Sequence, residues 1–337
     1  MNTQRRNGSA LLLALVTLVI LSALMVSFLF RIHLEAELAT AYRFRVKAQS
    51  LAEAGQEYAK LMLIKSFRAG NEPEEEYSER FFLALKNLSR GMAVSGYTVE
   101  MDGGAFTLHI TPEQGRRNVN TLSEADWEQM LENVGVPEEL HDPLFASFQD
   151  WIDADEASRL QGAESDDPYY TDRGYPVKNA RVDTIDEMLL IKGFTRAILY
   201  GGRLEEEHEM PEVEVSGIAP LLTVYGDGRV NVNTANRDVL LTVSGLKEED
   251  ADRLIEGRTG PDEIPGTEDD GYPSTDRALA YAGLPGDVSN VFSTTDRRWV
   301  RVTSVGEAGG VRAAIWTLYE FTGRGLSVHA YREEPLP

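Results

Sequence analysis

Carboxylates are the side chains best placed to do chemistry in this chain. Asp150, Asp153, Asp155, Glu156, Glu164, Asp166 and Asp167 crowd one short stretch, with Trp151 and Ile152 able to anchor its start in a core. Oxygen-only donors in a flexible loop suit calcium, which takes about six to eight of them and accepts backbone carbonyls as well. A second loop, 260–271, sets Asp262, Thr267, Glu268, Asp269 and Asp270 among glycines and prolines, a tight bend that repels itself without a cation. Neither spacing is that of an EF-hand. A solvated acidic loop is the alternative for both, because acidic turns are common on acidic surfaces.

Other chemistries lack their residues. His33, His109, His141, His208 and His329 are scattered, with no pair at a helical metal-ligand spacing. There is no cysteine, which removes thiolate zinc sites, thiol nucleophiles and disulfides and leaves the redox compartment open. Gly226-Asp227-Gly228 lacks the third glycine of a dinucleotide fingerprint, and no glycine-serine nucleophile elbow appears. The expectation is a protein that is not an enzyme. With 55 acidic against 33 basic residues the net charge is −22, which repels phosphate backbones, so nucleic acid is not an expected partner. A hydrophobic share of 42% over 337 residues is enough for two or three compact units of about 100 to 150 residues each.

Those units need something to hold and place them. Ser9–Phe30 is uncharged and almost wholly apolar, and at 1.5 Å per residue it spans roughly 33 Å, the thickness of a bilayer core. Basic residues flank it on both sides, Arg5 and Arg6 before and Arg31, Arg43, Arg45 and Lys47 after, so charge alone does not orient it. Leu34, Leu38, Ala41, Arg45, Ala48, Ala52, Gly55, Ala59 and Met62 continue at helical spacing to about Phe67, with Gly70 and Pro73 as stop signals. Tyr97–Met101 and Ala105–Ile110 read as a hairpin around Asp102-Gly103-Gly104, and Trp299–Val305, Val311–Phe321 and Leu326–Tyr331 as further strands. Between them, Val119-Asn120-Thr121, Val182-Asp183-Thr184 and Val232-Asn233-Thr234 each precede a helix, a glycine (Gly135, Gly193, Gly245) and a second helix. Thr121 with Glu124 and Thr184 with Glu187 fit capping boxes, and Thr234 can cap alone. Such units resemble DNA-binding helical hairpins, but Glu138, Glu139, Glu248, Glu249 and Asp250 give the turns the wrong charge.

Arg5-Arg6-Asn7-Gly8, ahead of Ser9 and the apolar run, resembles the leader of type IV pilin-like proteins. That resemblance implies cleavage between Gly8 and Ser9 by a prepilin peptidase, and an apolar helix, Leu13, Leu18 and Leu24 among its residues, that packs in a filament core. Leu13 stands where most of these proteins carry glutamate, a departure characteristic of the minor pseudopilins of the general secretion pathway protein K family of type II secretion systems. Glu113-Gln114-Gly115-Arg116-Arg117-Asn118-Val119-Asn120-Thr121 and Asp150-Trp151-Ile152-Asp153-Ala154-Asp155 are similar to signatures of that family. Gly162-Ala163-Glu164, Tyr169, Tyr170, Tyr175-Pro176, Asn179, Met188–Gly193 and Val230–Thr234 follow in the same order.

The resemblance implies an α+β pseudopilin fold: a long N-terminal transmembrane helix packed on an antiparallel sheet, with a large inserted all-α domain. The expected division is a leader at 1–8, a membrane helix at 9–30, its periplasmic continuation at 31–70, a pseudopilin domain from 71–115 and 285–337, and an insertion at 116–284. It further implies a single-pass inner-membrane protein with a cytoplasmic N-terminus, placed at the tip of the pseudopilus and supporting export of folded proteins across the outer membrane. Its partners would be the minor pseudopilins I, J and H and the inner-membrane assembly platform, and calcium would bind in the insertion. A minor pilin of a type IV pilus, or a membrane-anchored calcium-binding module with no filament role, are the alternatives.

Overall fold

The computed structural model describes residues 5–68, 78–204, 213–294, 298–322 and 325–335. Gly70, Pro73 and His208 lie outside them. Helix α1 (Arg5–Arg68) is one uninterrupted element with two different surroundings. Residues 10–43 are exposed throughout, and the segment is long and apolar enough to cross a membrane. From Ala48 the same helix becomes the back of a sheet: Ala48, Ala52, Gly55, Ala59 and Met62 are buried at steps of three and four. The apolar stripe seen in the sequence is therefore used only in its second half, since Leu34 and Leu38 stay exposed.

After α2 (Glu79–Ser89), β1 (Val94–Met101) and β2 (Gly104–Pro112) form the expected hairpin, its turn allowed by Gly103 at φ 75°. The chain then leaves the sheet at Pro112 and builds a second body. Strand β3 (Arg117–Asn118) leads to α3 (Glu124–Asn133), α4 (His141–Ile152), α5 (Pro168–Thr171) and α6 (Arg196–Tyr200). Two short strands, β4 (Gly202–Leu204) and β5 (Val213–Val215), precede β6 (Leu222–Thr223) and β7 (Val230–Asn231). Helices α7 (Arg237–Leu241), α8 (Glu248–Glu256) and α9 (Thr275–Ala282) complete it, with β8 (Phe292–Ser293) at its exit. The chain returns as β9 (Trp299–Ala308), β10 (Val311–Thr322) and β11 (Gly325–Pro335), giving one antiparallel sheet in the order β1-β2-β9-β10-β11. Pro112 faces Val300 across that sheet, so departure and return are neighbours.

Two apolar cores follow this division. One joins α1, α2 and the sheet through Leu63, Phe81, Leu108, Ile110 and Val302; the other fills the insertion around Trp127, Phe148, Tyr170 and Leu240. The insertion is predominantly helical rather than all-α. β3 pairs with β6 and β7 with β8, because the lead-ins to two of the repeats run through the core, where backbone amides must find partners, and β4 pairs with β5 nearer the surface. The three repeat glycines all hold positive φ, 83°, 89° and 80° at Gly135, Gly193 and Gly245, as helix-ending turns require.

The caps differ from the sequence reading. Ser123 with Asp126, not Thr121 with Glu124, makes the capping box of α3; Thr121 instead donates to the Asn118 carbonyl. Thr184 makes no side-chain cap, and the segment after it, Ile185–Leu190, is a 3₁₀ helix. Asn236 caps α7, while Thr234 donates to the Gly91 carbonyl. Thr121 ends a 3₁₀ turn and Thr234 lies in a turn after β7, each donating to a backbone carbonyl, and there the next polar residue becomes the cap.

Close approach of α1 to the sheet depends on Gly306, where a Cβ would overlap the backbone at Ala48 and Ala52. At the same contact buried Gln56 donates to the carbonyls of Val302 (3.2 Å) and Ile315 (2.8 Å) and accepts from the Tyr319 hydroxyl (3.1 Å). Gly306→Ala is expected to cost about 1–3 kcal/mol or more by forcing helix and sheet apart, whereas Gly286→Ala, with nothing within 4 Å, costs little. Melting temperatures of the two variants check this.

Candidate metal centre

Helix α4 carries Asp150 and Trp151 into the core at its last turn and stops at Asp153, whose amide donates to Gln149. Trp151 fixes that end: its ring lies 5.9 Å from Tyr170 and 6.5 Å from Tyr175, and its Nε1 donates to Glu187 at 2.9 Å. The loop that follows folds back over Asp150. Asp150 is fully buried and accepts from the Arg159 amide, and Gly162 passes so near its carboxylate that a Cβ there would overlap it. This return brings Glu164 to the residues at the end of α4.

The result is a convergence of carboxylates. One oxygen each from Asp153, Asp155 and Glu164 lie within 4.8 Å of one another, and among the described residues no other group of three acids and histidines meets so closely. Glu164 is 1% exposed, yet neither of its oxygens has a hydrogen-bond partner, and Asp153 Oδ1 is buried and unpartnered too. Unsatisfied buried carboxylate oxygens are costly, and a site of this kind asks for a cation. Arg159 supplies part of the charge, with Nε 3.4 Å from Asp150 and Nη2 3.0 Å from Asp153, but one guanidinium stands against Asp150, Asp153, Asp155, Glu156 and Glu164. Burial pushes the Glu164 carboxyl up to about 7, helped by the charges of Asp150, Asp153, Glu156 and Asp155. Asp150 is raised for the same first reason, against the pull of the Arg159 and Ala163 amides. The donor set fits a hard oxygen-seeking ion such as calcium.

Of the expected ligands in this stretch, Asp166 is exposed and Asp167 is engaged elsewhere. Asp167 caps α5 through the Tyr169 amide (2.8 Å) and pairs with Lys192 (2.8 Å); despite burial, these hold its carboxyl below the usual range. Three residues that the sequence reading did not assign to the site shape it: Arg159, Gly162 and Asn179. Asn179, at φ 52°, donates to Glu156 at 2.9 Å. An asparagine three residues after a proline is a recognisable left-handed turn signal, but its reach back to Glu156 is tertiary.

The second acidic loop is organised by its own bonds. Asp262 accepts from the Ile264 amide (2.9 Å), Asp269 from the Thr267 hydroxyl (2.7 Å) and Asp270 from the Gly266 amide (2.6 Å). Glu268 pairs with Lys86 of α2 (2.9 Å), and Arg90 donates to the carbonyls of Glu268 and Asp270. Its acids hold the turn and clamp the insertion to α2 rather than converge on a point. The Asn-rich lead-ins act similarly: Asn231 donates to Gly91 and Asn233 to Arg90 and Tyr272, while Asn120 exchanges two bonds with Val182. At the processing position, Gly8 and Ser9 lie within α1, and Leu13, Leu18 and Leu24 are exposed along it.

Residues 98–200 match the model of a family described as type II secretion system protein K. The chain is 23% identical over 266 residues to the type II secretion system protein K of Pseudomonas aeruginosa, covering 75% of this chain and 72% of that one. Its fold is similar to one in the crystal structure of the GspK-GspI-GspJ complex from the enterotoxigenic Escherichia coli type 2 secretion system. The TM-score is 0.55 at 16% identity, over 91% of this chain and all of the other.

Without bound metal, Glu164 keeps its proton up to about 7, while in the unfolded chain it releases it near 4.5. Its contribution therefore favours folding at low pH and is lost as pH rises from about 4.5 through 7. In chelator, the melting temperature is expected to fall between about pH 5 and pH 8, and Glu164→Gln to flatten that slope. Scanning calorimetry of both proteins measures it; an unchanged slope in the variant removes Glu164 from the account.

Proposed function

We infer that this chain is a minor pseudopilin of the protein K type, serving type II secretion. The single observation that carries this reading is α1: one helix, bare and apolar for its first half and the back of an antiparallel sheet for its second. A subunit built in that way can be held in a membrane by one end and pass laterally into a helical filament by the same surface, leaving its globular part in water. The match over residues 98–200 and the likeness to the Pseudomonas protein point the same way.

In the finer reading, the leader is removed after Gly8, the segment from Ser9 to Phe30 anchors the chain in the inner membrane with its N-terminus cytoplasmic, and the globular part is periplasmic. Subunits equivalent to those in the GspK-GspI-GspJ complex, with a pseudopilin H below them, are its filament neighbours, and the assembly platform its base. The insertion gives the end position a physical reason: a body this wide beside the sheet obstructs stacking of a further subunit above it. Leu13 agrees, since a first subunit has no predecessor whose amino terminus a carboxylate would meet. The role is assembly in support of the export of folded proteins, not catalysis. Asp153, Asp155 and Glu164, with Asp150 behind them, would hold a calcium ion, which supplies the positive charge that their buried oxygens lack.

Two measurements test these statements separately. Co-expressed with a prepilin peptidase, the mature chain is expected to begin at Ser9, and N-terminal sequencing that finds Met1 retained contradicts the filament reading. Calcium added to the full chain in detergent is expected to raise its melting temperature, with Asp153→Asn or Glu164→Gln weakening binding by about tenfold or more. No heat and no thermal shift at millimolar calcium would remove the metal.

A further inference from the structure

The Glu113–Thr121 signature leaves one charged side chain without a hydrogen bond among the described residues, beside the buried and equally unpartnered Gln114 amide. Glu113 is taken by Arg301 (2.5 Å) and the Thr223 hydroxyl (2.8 Å), Arg117 by Asp126 (2.7 Å), and Asn118 by the Gly226 carbonyl (2.8 Å). Arg116 is different. Among the described residues its one carboxylate neighbour is Glu113 at 3.8 Å, beyond hydrogen-bond length, and Glu113 already serves Arg301. Yet the Arg116 side chain is only 31% exposed. Burial and the Arg301 charge both press against its protonated form, with Glu113 only partly offsetting them. A guanidinium fork held partly out of water, without a partner to accept from it, is a receptor for a planar anion such as a carboxylate.

The surroundings specify more than charge. Arg116 lines two clefts at once. One, of about 210 Å³, is bounded by Pro112, Gly115, Pro220 and Val239. The other, of about 340 Å³, lies between the insertion and the sheet face turned away from α1, walled by Ile185, Leu222, Tyr225, Trp316 and Arg301. Arg301 sits over the Trp316 ring at 4.7 Å. Two guanidiniums therefore share one buried carboxylate, which Arg301 holds at 2.5 Å. Two acids also line the second cleft: Asp183 is paired with Lys178, and Asp186 accepts from the Tyr200 hydroxyl and keeps its charge.

We propose that these joined clefts bind an extended acidic segment of a partner protein, with a carboxylate seated on Arg116 and a neighbouring apolar side chain between Tyr225 and Trp316. The Arg116 fork selects the carboxylate, and the aromatic wall selects what flanks it. The site rests on neither the metal nor the filament reading, because its residues belong to the junction of the two cores.

The test uses the full chain in detergent and a fluorescent, end-blocked pentapeptide with glutamate between two phenylalanines, against the same peptide with glutamine. Anisotropy is expected to show saturable binding of the glutamate peptide, about tenfold weaker for the glutamine peptide and for Arg116→Gln, with the melting temperature of that variant unchanged. Should Arg116→Gln fail to fold, Arg116→Lys keeps the charge without the fork and is expected to bind more weakly than the native chain. No saturable binding up to millimolar peptide, equal binding of both peptides, or full binding by the arginine variants overturns the proposal.

Discussion

The structure depends on one topological constraint: the strand that leaves the sheet and the strand that returns to it are hydrogen-bonded neighbours. Pro112 faces Val300, so everything between must begin and end at a single place. Closing so long an excursion costs little more than closing a short one, provided that the excursion folds on its own core. The insertion has that core, centred on Trp127, Phe148 and Tyr170. At the meeting point the Glu113 carboxylate is 2% exposed and bonded to Arg301 of β9, so the first residue after the sheet is tied to the strand that closes it. Removing Arg301 would leave that buried carboxylate without its nearest cation at the point where the two bodies join.

From that point the two bodies are fastened again at a distance. Asn231 and Asn233 hold the end of α2 by its backbone, and the 260–271 loop grips Lys86 and Arg90 from the other side. The acids of that loop therefore mostly hold its turn, with one Asp270 oxygen buried and unpartnered, while those after α4 converge. The difference explains why two stretches of similar composition serve different ends. Where backbone amides and cations are within reach, carboxylates become struts; where the chain folds back over a buried helix end, they converge.

Periodicity made much of this legible in the sequence. The long helix, the hairpin at Asp102-Gly103 and the three C-terminal strands each carry a local signal that survives tertiary packing, and so do the left-handed glycines of the repeats. The caps were misread by two residues at α3 and α7 because a threonine and the polar residue just after it offer the same chemistry, and only the carbonyl that the threonine reaches decides between them. Short parallel ladders such as β3–β6 have no local signature, since their partners are far apart in sequence. In the loop after α4, composition named Asp150, Asp153, Asp155 and Glu164, but the turning of Asp167 toward Lys192 and the roles of Arg159, Gly162 and Asn179 arise only when distant segments meet.

The central claim is that a chain with this insertion occupies an end and not the length of a filament. Gold labelling of an epitope placed at the exposed turn around Gly286, in pseudopili sheared from cells, measures it directly. The account predicts one label at one end of each filament; labels repeated along the shaft would contradict it.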